Sequence, residues 1–246
     1  MELILAEKPS AARNFAKALG GKTGNYARTE YKITNLRGHV MWLLPPDKQV
    51  PTEKVEFYKS WDLENLPWNL NDFAWKKGIL SGCKDIISGL KDELKEADCV
   101  VIATDVDPSG EGELLAWEAL EKCGWRGPTK RMYFADEAPA SVQKAFMERK
   151  TLPSMDKDGD YVKAVVRERW DLASMQFTRA ATLVARKKGF RTVVRQGRLK
   201  SVMVKLTGDQ LKAYNEYVRK PFYEARFKDE NGNIFARKTD DAEDIR

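Results

Sequence analysis

The stretch CVVIATDVDPSGEGELLAWEALEKC, residues 99–123, decides the fold. Its opening CVVIAT is a continuous apolar run of the kind found in strands buried on both faces. Its closing LLAWEALEKC reads as a helix. Between them lies a short turn carrying four acidic side chains, Asp105, Asp107, Glu111 and Glu113. Strand, turn and helix in this order form the unit of an α/β domain, and such sheets place ligands at the C-terminal ends of their strands. The turn has two readings. In the first, Asp107, Ser109 and Glu111 cap the helix and complement its dipole. In the second, Asp105 and Asp107 share a cation that Glu111 also reaches, and oxygen ligands without His or Cys favour Mg²⁺. Gly110 and Gly112 let the backbone turn sharply.

The flanking sequence extends the same pattern. ELILAE (2–7) is a short apolar run ending at Glu7, followed by Lys8 and Pro9. Ser10 reads as the cap of a helix over AARNFAKAL, stopped by Gly20-Gly21. A carboxylate at the end of a second strand favours the cation reading, because adjacent parallel strands bring their C-terminal ends together. YKITNLRGHVMWLLPP reads as extended segments, and residues 51–75, rich in Trp, Pro and Asn, as an irregular insertion. Apolar residues follow helical spacing from Ile79 to Leu94, KRMYFA reads as a strand, and ASVQKAFMER as a helix. The expected fold is α/β, a Rossmann-like, mostly parallel sheet over residues 1–152. DKDGD (156–160) marks a boundary. Basic helical segments follow at 161–188 and 200–217, joined by GFRTVVRQGR. PFYEARFKDENGNIFARK then reads as a hairpin around Asn231-Gly232-Asn233. The expected divisions are therefore 1–152, 153–217 and 218–246.

Composition narrows the class. At 42% hydrophobic, with seven Trp and ten Phe in 246 residues, the chain carries enough apolar mass to exclude a disordered tail. Cys83, Cys99 and Cys123 are odd in number and widely spaced, which fits neither a disulfide framework nor a zinc ribbon. No apolar run approaches the ~20 residues of a membrane span. MELILAEKPS lacks the basic region and cleavage site of a signal peptide. The expected compartment is cytoplasmic, with no membrane partner. The net charge of +6 conceals an asymmetry: residues 161–220 hold 15 Lys+Arg against 4 Asp+Glu, leaving 43−15 = 28 basic and 37−4 = 33 acidic elsewhere. A charge run is commonly a solvated face. Joined to an acidic cluster, it also suits a polyanion held near a cation.

A strand ending in Glu, then a helix, then a later strand followed by Asp-x-Asp resembles the TOPRIM pattern of topoisomerases, primases and certain nucleases. The ordered series is similar to the type IA DNA topoisomerases, particularly their topoisomerase III branch. It comprises LILAEKPSAARNFAKAL, RGHVMWLLPP, YKSWDLENLPW, VVIATD…EGELLAWE, VVRERWDLASMQFTRAAT, RQGRLKSVMVKL and KPFYEARF. It covers almost the whole chain, and its specificity lies in the order, since each motif alone is weak. The resemblance implies a TOPRIM domain, the first part of a helical domain binding single-stranded DNA, and the start of a β-rich arch. It implies Glu7 as acid/base at the scissile phosphate, and Lys8 as a stabiliser of charge or donor to the leaving oxygen. It implies Asp105, Asp107 and Glu111 as the Mg²⁺ ligands.

Further expectations come with alternatives attached. His39, beside Gly38, matches a Gly-His motif and equally suits a packed or turn-stabilising histidine. Arg167 and Asp171 match positions near bound single-stranded DNA, and four residues apart they also suit an i,i+4 ion pair. Arg195, Arg198 and Lys200 flank Gly197 where phosphates are contacted. Trp170 and Phe177 suit base stacking or an apolar core stripe. Two departures stand out. Pro108, Ser109 and Gly110 separate Asp107 from Glu111, two residues more than the family's DxDxEGE, leaving Glu111 and Glu113 as rival third ligands, with Glu111 preferred. Arg195 stands where the family's SxGR element has Ser. The family's Tyr nucleophile lies in a YxRT-like segment beyond the arch entry, and YARTE (26–30) falls too early to be it. The expected nucleophile therefore belongs to a missing C-terminal part or a partner chain, and this chain alone is expected to bind Mg²⁺ and single-stranded DNA without cleaving. A TOPRIM nuclease or primase-like enzyme and a non-catalytic DNA-binding accessory module are the alternatives.

Overall fold

The apolar runs at 2–6 and 99–103 form strands in which every residue is buried, as runs sandwiched between two helical layers must be. The structure is a computed structural model that describes residues 1–219 and 223–239. In chain order the first elements are β1 (Glu2–Ala6), α1 (Pro9–Leu19), β2 (Thr23–Tyr26), β3 (Thr29–Asn35), β4 (Met41–Leu43), α2 (Pro46–Gln49) and α3 (Val55–Lys59). Next come β5 (Lys77–Ile79), α4 (Lys84–Glu93), β6 (Cys99–Ala103), α5 (Glu111–Cys123), β7 (Thr129–Arg131), α6 (Pro139–Met147), β8 (Lys150–Thr151) and α7 (Gly159–Lys187). The last are α8 (Arg198–Asn215), β9 (Tyr223–Lys228) and β10 (Ile234–Thr239).

Six strands form the main sheet in the order β2-β3-β1-β6-β7-β8. The inner pairs β3–β1, β1–β6 and β6–β7 are parallel, and the edges β2 and β8 are antiparallel. Side chains alternate between faces with the period of two that strands impose. Leu3, Leu5, Val100 and Ile102 pack with Ile87 and Leu90 of α4 and Leu115, Ala119 and Leu120 of α5. Ile4, Ala6, Val101 and Ala103 pack with Phe15 of α1 and Val142 and Phe146 of α6 on the opposite side. The expected mostly parallel α/β sheet is therefore present, with helices on both faces.

Several local expectations need correction. Ser10 does not cap α1; the helix starts at Pro9, and Lys8 occupies the cap position without a side-chain bond. Proline at the first helical position fixes the starting φ and lacks only an amide that would be unpaired anyway. The helix expected from Ile79 starts at Lys84, because Lys77–Ile79 instead pairs antiparallel with Met41–Leu43. Residues 51–75 are not merely irregular: Tyr58, Trp68 and Phe73 form a third core with Leu43, Val50 and Leu172. Buried Gln49 ties this segment together by donating to the Leu44 and Lys76 carbonyls, at 2.7 and 2.9 Å, and accepting from the Lys76 amide at 2.6 Å.

By packing the chain divides into Met1–Arg195 and Gln196–Arg246. There is no break in packing at the boundary expected near residue 152, since α7 lies against α5 within the first unit. The second unit contains α8, which buries none of its residues, and the β9–β10 hairpin in the register Phe227↔Phe235. Residues 220–222 and 240–246, including the start of the expected arch entry, lie outside the described residues.

Candidate metal and phosphate site

The register Ala6↔Ala103 between β1 and β6 puts the residues following both strands side by side. The Asp105 amide donates to Glu7 Oε2 at 3.1 Å, and Lys8 Nζ lies 3.3 Å from Asp105 Oδ2. The Glu7 carbonyl accepts from the Gly38 amide at 2.9 Å, which brings the Gly38-His39 segment to the same sheet edge. His39 Nε2 is 2.7 Å from Glu111 Oε1, and Arg167 Nη1, from α7, is 3.2 Å from Glu111 Oε2. Segments joined by contacts spanning up to 98 residues thus converge on one corner because of the strand order, not local sequence. His39, Glu111, Arg167 and Asp171 line a small cavity of about 160 Å³ beside Leu114 and Ala164.

The acidic turn is built on two glycines. Gly110, at φ +75°, begins α5 in the left-handed region, and a Cβ there would come within 2.1 Å of the Asp160 carbonyl oxygen. A Cβ on Gly112 would lie 2.1 Å from the Asp105 carbonyl oxygen. Asp107 Oδ1 accepts from the Ser109 amide at 2.7 Å and from the Ser109 hydroxyl. Asp107 therefore does brace the turn, as the capping reading expects: the N-cap residue of α5 is Gly110, which has no side chain to cap with, and Asp107 accepts from the first-turn Gly112 amide instead.

The charges differ in character. Burial pushes the Glu7 carboxyl above the usual carboxylate range, and the neighbouring Asp105 and Glu111 charges add to it against the Asp105 amide and Lys8. Burial acts on Asp107 the same way, but its bonds from Ser109 and the Gly112 amide outweigh it and hold the group below the usual range. The bond to Asp105 raises Lys8, so it stays cationic at neutral pH.

Glu113, the rival ligand, does not face this corner. It is buried at 3% exposure and accepts from Arg131 Nε at 2.6 Å. Arg131, the second residue of the KRMYFA segment, carried no signal in the sequence beyond its charge at the start of an apolar run. Among the described residues no three Asp, Glu, His or Cys side chains gather closely enough to enclose one ion. The donor set is nonetheless suitable for Mg²⁺, which typically keeps several waters and uses one or two carboxylates. Asp105 and Asp107 are two residues apart and supply only oxygen, whereas Glu111 has both carboxylate oxygens engaged by His39 and Arg167.

The other expected contacts are spread more widely. Arg167 pairs with Glu111 across elements in addition to lying near Asp171 on its own helix. Arg195 is exposed at the end of the first unit, and Arg198 and Lys200 are exposed at the start of α8 in the second. Trp170 and Phe177 are not core residues; they are 57% and 56% exposed on α7, whose buried side carries Ala164, Leu172 and Ala173 instead. Arg179 of the basic segment is buried, donating to the Tyr58 and Ser60 carbonyls at 2.6 and 3.1 Å. Tyr26 ends β2 and pairs with Thr29, two residues before Tyr31, which pairs with Glu2. Seven residues at ~3.3 Å each put it roughly 23 Å along the strands from the level of Glu7.

Comparison with known proteins accords with this geometry. Residues 2–136 match the Toprim domain family. The chain is 28% identical over 225 residues to DNA topoisomerase 3 of Staphylococcus haemolyticus, covering 90% of this chain and 30% of that protein. It is 28% identical over 241 residues to DNA topoisomerase 3 of Shouchella clausii, with 94% and 30% covered. Against DNA topoisomerase 3 of Staphylococcus epidermidis, it is 30% identical over 151 residues, with 60% and 20% covered. The chain thus spans about a third or less of these relatives. The solved structure of full-length topoisomerase I from Thermotoga maritima shares the fold, with a TM-score of 0.58 at 21% identity over 99% of this chain and 36% of that one. With its family match spanning more than half of its length and its strand order that of a mostly parallel α/β sheet, the chain belongs to the Toprim domain family.

Proposed function

We propose that this chain provides the cation- and phosphate-handling part of a type IA DNA topoisomerase. The observation that carries the reading is the meeting of Glu7, Lys8 and Asp105 at the ends of two adjacent parallel strands. Asp105 and Asp107 are the carboxylates that hold Mg²⁺, with Glu111 contributing in competition with His39 and Arg167. When bound, Mg²⁺ supplies positive charge that places a phosphodiester and offsets its developing negative charge. Glu7 retains a proton to higher pH than a solvated carboxylate, the property a group needs to take up and return one at the scissile phosphate. Lys8 acts as a fixed cation against the phosphate rather than as a proton donor, because Asp105 holds it charged.

In the complete enzyme one DNA strand is cut through a 5′-phosphotyrosine, another strand passes, and the cut is resealed. Tyr26 is at the wrong end of the sheet for this, so the nucleophile comes from polypeptide outside this chain. Single-stranded DNA is the proposed partner, contacted by Arg167 and Asp171 and by the exposed Arg195, Arg198 and Lys200.

The test is a Mg²⁺-dependent nicking assay on single-stranded DNA that scores free ends and covalent adducts separately. Salt-sensitive binding with neither product is the expected result, and Glu7→Gln should keep that binding while lowering the cleavage that a complementing polypeptide restores. Free ends would establish a Toprim nuclease instead. Covalent adducts formed by this chain alone would refute the external nucleophile.

A further inference from the structure

Arg131 is the largest fully buried side chain in the described structure, and all of its bonds are made to the segment that carries the acidic turn or to its immediate neighbours. It ends β7, where the parallel register pairs it with Ile102 of β6. Its Nη1 donates to the carbonyls of Thr104 at 2.7 Å, Met132 at 3.0 Å and Ile102 at 3.4 Å, and its Nη2 to that of Asp105 at 3.1 Å. Its Nε donates to Glu113 Oε1 at 2.6 Å, and both side chains are essentially without solvent contact. A buried ion pair of this kind is a poor source of stability, because apolar residues of like volume do as well. The fixed fork of a guanidinium does something they cannot, which is to hold several carbonyl oxygens in one plane.

We infer that Arg131, with Glu113 as its counter-charge, is a positioning residue that fixes the backbone at Thr104–Asp105 and so sets where the Asp105 and Asp107 carboxylates stand. The inference rests on the proposed cation role of those two aspartates. Glu113 neutralises the guanidinium, so the effect on the turn is geometric and not a field acting on its carboxylates. Glu113 is thereby tied to the site without facing it: it leaves α5 two residues after Glu111 and anchors from beneath what Asp105 and Asp107 present above.

The test compares the whole chain with Arg131→Lys and with the double change Arg131→Met, Glu113→Leu. Lysine keeps the charge beside Glu113 but cannot bridge these carbonyls, and the double change removes both charges at similar volume. Two measurements are made on variants that melt cooperatively: Mn²⁺ binding by electron paramagnetic resonance, and amide hydrogen exchange. The expected result is at least tenfold weaker Mn²⁺ binding and at least tenfold faster exchange over residues 104–112, with exchange in β1 unchanged. Asp105→Asn is run alongside, and should lose Mn²⁺ without loosening the turn. Wild-type exchange and wild-type Mn²⁺ affinity in a folded double variant would overturn the positioning role. If the wild-type chain bound no Mn²⁺, the cation reading would fall by itself, and the exchange over 104–112 would still decide whether Arg131 holds the turn.

Discussion

Replacing Gly112 by alanine should damage the chain although the change adds one methyl group to a helix. Gly112 is the second residue of α5, and an added Cβ would sit 2.1 Å from the Asp105 carbonyl oxygen and 3.0 Å from Thr104 Oγ1. Carbon and carbonyl oxygen normally approach to about 3.3 Å, so a gap of roughly 1.2 Å must open. No flexible side chain can yield. The Asp105 carbonyl is held by Arg131 Nη2, and Thr104 Oγ1 donates to the Gly112 carbonyl at 2.8 Å. Overpacking of this kind costs about 1–3 kcal/mol, here at the upper end because the obstacle is backbone. Alanine returns about 1 kcal/mol through its helix propensity. The net expectation is a loss of about 2 kcal/mol, or roughly 4–8 °C in melting temperature for a chain of this size. Circular dichroism melts in chelator measure it. Gly89→Ala is the control: it lies within α4 with nothing within 4 Å, so it should gain about 1 kcal/mol. If Gly112→Ala melted as high as Gly89→Ala, the close approach of α5 to the Asp105 backbone would be refuted.

Other outcomes follow from contacts away from that turn. Burial pushes the Glu2 carboxyl up, but Arg149 and Lys130, at 2.7 and 2.5 Å, outweigh it and hold it below its ordinary value of 4.5. Its stabilisation is therefore present above about pH 4.5 and lost as pH falls through the lower folded value. Glu2→Gln should cost about 2 kcal/mol at pH 7 and progressively less in acid, read from urea unfolding at several pH values; a pH-independent deficit would disprove the pairing. Arg179→Ala leaves the Tyr58 and Ser60 carbonyls without their donor and takes the cation off Trp68, so proteolysis within 51–75 should accelerate. The salt dependence of DNA binding should stay unchanged in that variant, and a changed slope would mean that Arg179 meets phosphate. Changing Arg195, Arg198 and Lys200 together to Gln should lower the slope of log K against log salt by about 2 on single-stranded DNA. No change in slope would remove them from the interface. Tyr26→Phe should leave adduct formation by the complemented enzyme intact, and loss of adduct would reverse the reading of the β2–β3 turn.

What could be read in the sequence was what a short window determines. ELILA and CVVIA are buried on both faces, and such strands have no polar alternation to disguise them. Glu7, Asp105 and Asp107 were legible because each follows such a strand. Pairings that join distant segments were not. Lys77–Ile79 continues the helical spacing of the residues after it, and only Met41–Leu43, some 36 residues earlier, makes it a strand. The fate of Glu113 depended on Arg131, eighteen residues on in another strand, and no periodicity links the two. Tyr58, Trp68 and Phe73 looked irregular because their common core is completed by Leu172 of α7, over 90 residues away. Trp170 and Phe177 misled in the opposite sense: a helical stripe marks a face but does not say which face is covered.

The family match ends at residue 136, yet the site does not. Trp117 of α5 donates its indole N–H at 2.8 Å to buried Asp158, which caps α7 through the Asp160 and Tyr161 amides. The turn at Gly110 packs against the Asp160 backbone so closely that no Cβ fits. Eight residues after Gly159, the first residue of α7, and about two helical turns along, the chain delivers Arg167 to Glu111. A fixed cap, a contact that excludes a methyl group and a helix of defined rise together place a cation of the basic segment over an acid of the Toprim turn. The order matters physically, since a surface ion pair such as Arg167–Glu111 contributes too little to dock a helix. The buried Asp158 cap and the α5–α7 packing dock it, and the pair is a consequence. The basic residues carried by α7 therefore bear on the acidic corner through one helix, and the packing unit Met1–Arg195 holds both Arg167 and Glu111 where the matched residues 2–136 hold only the acid.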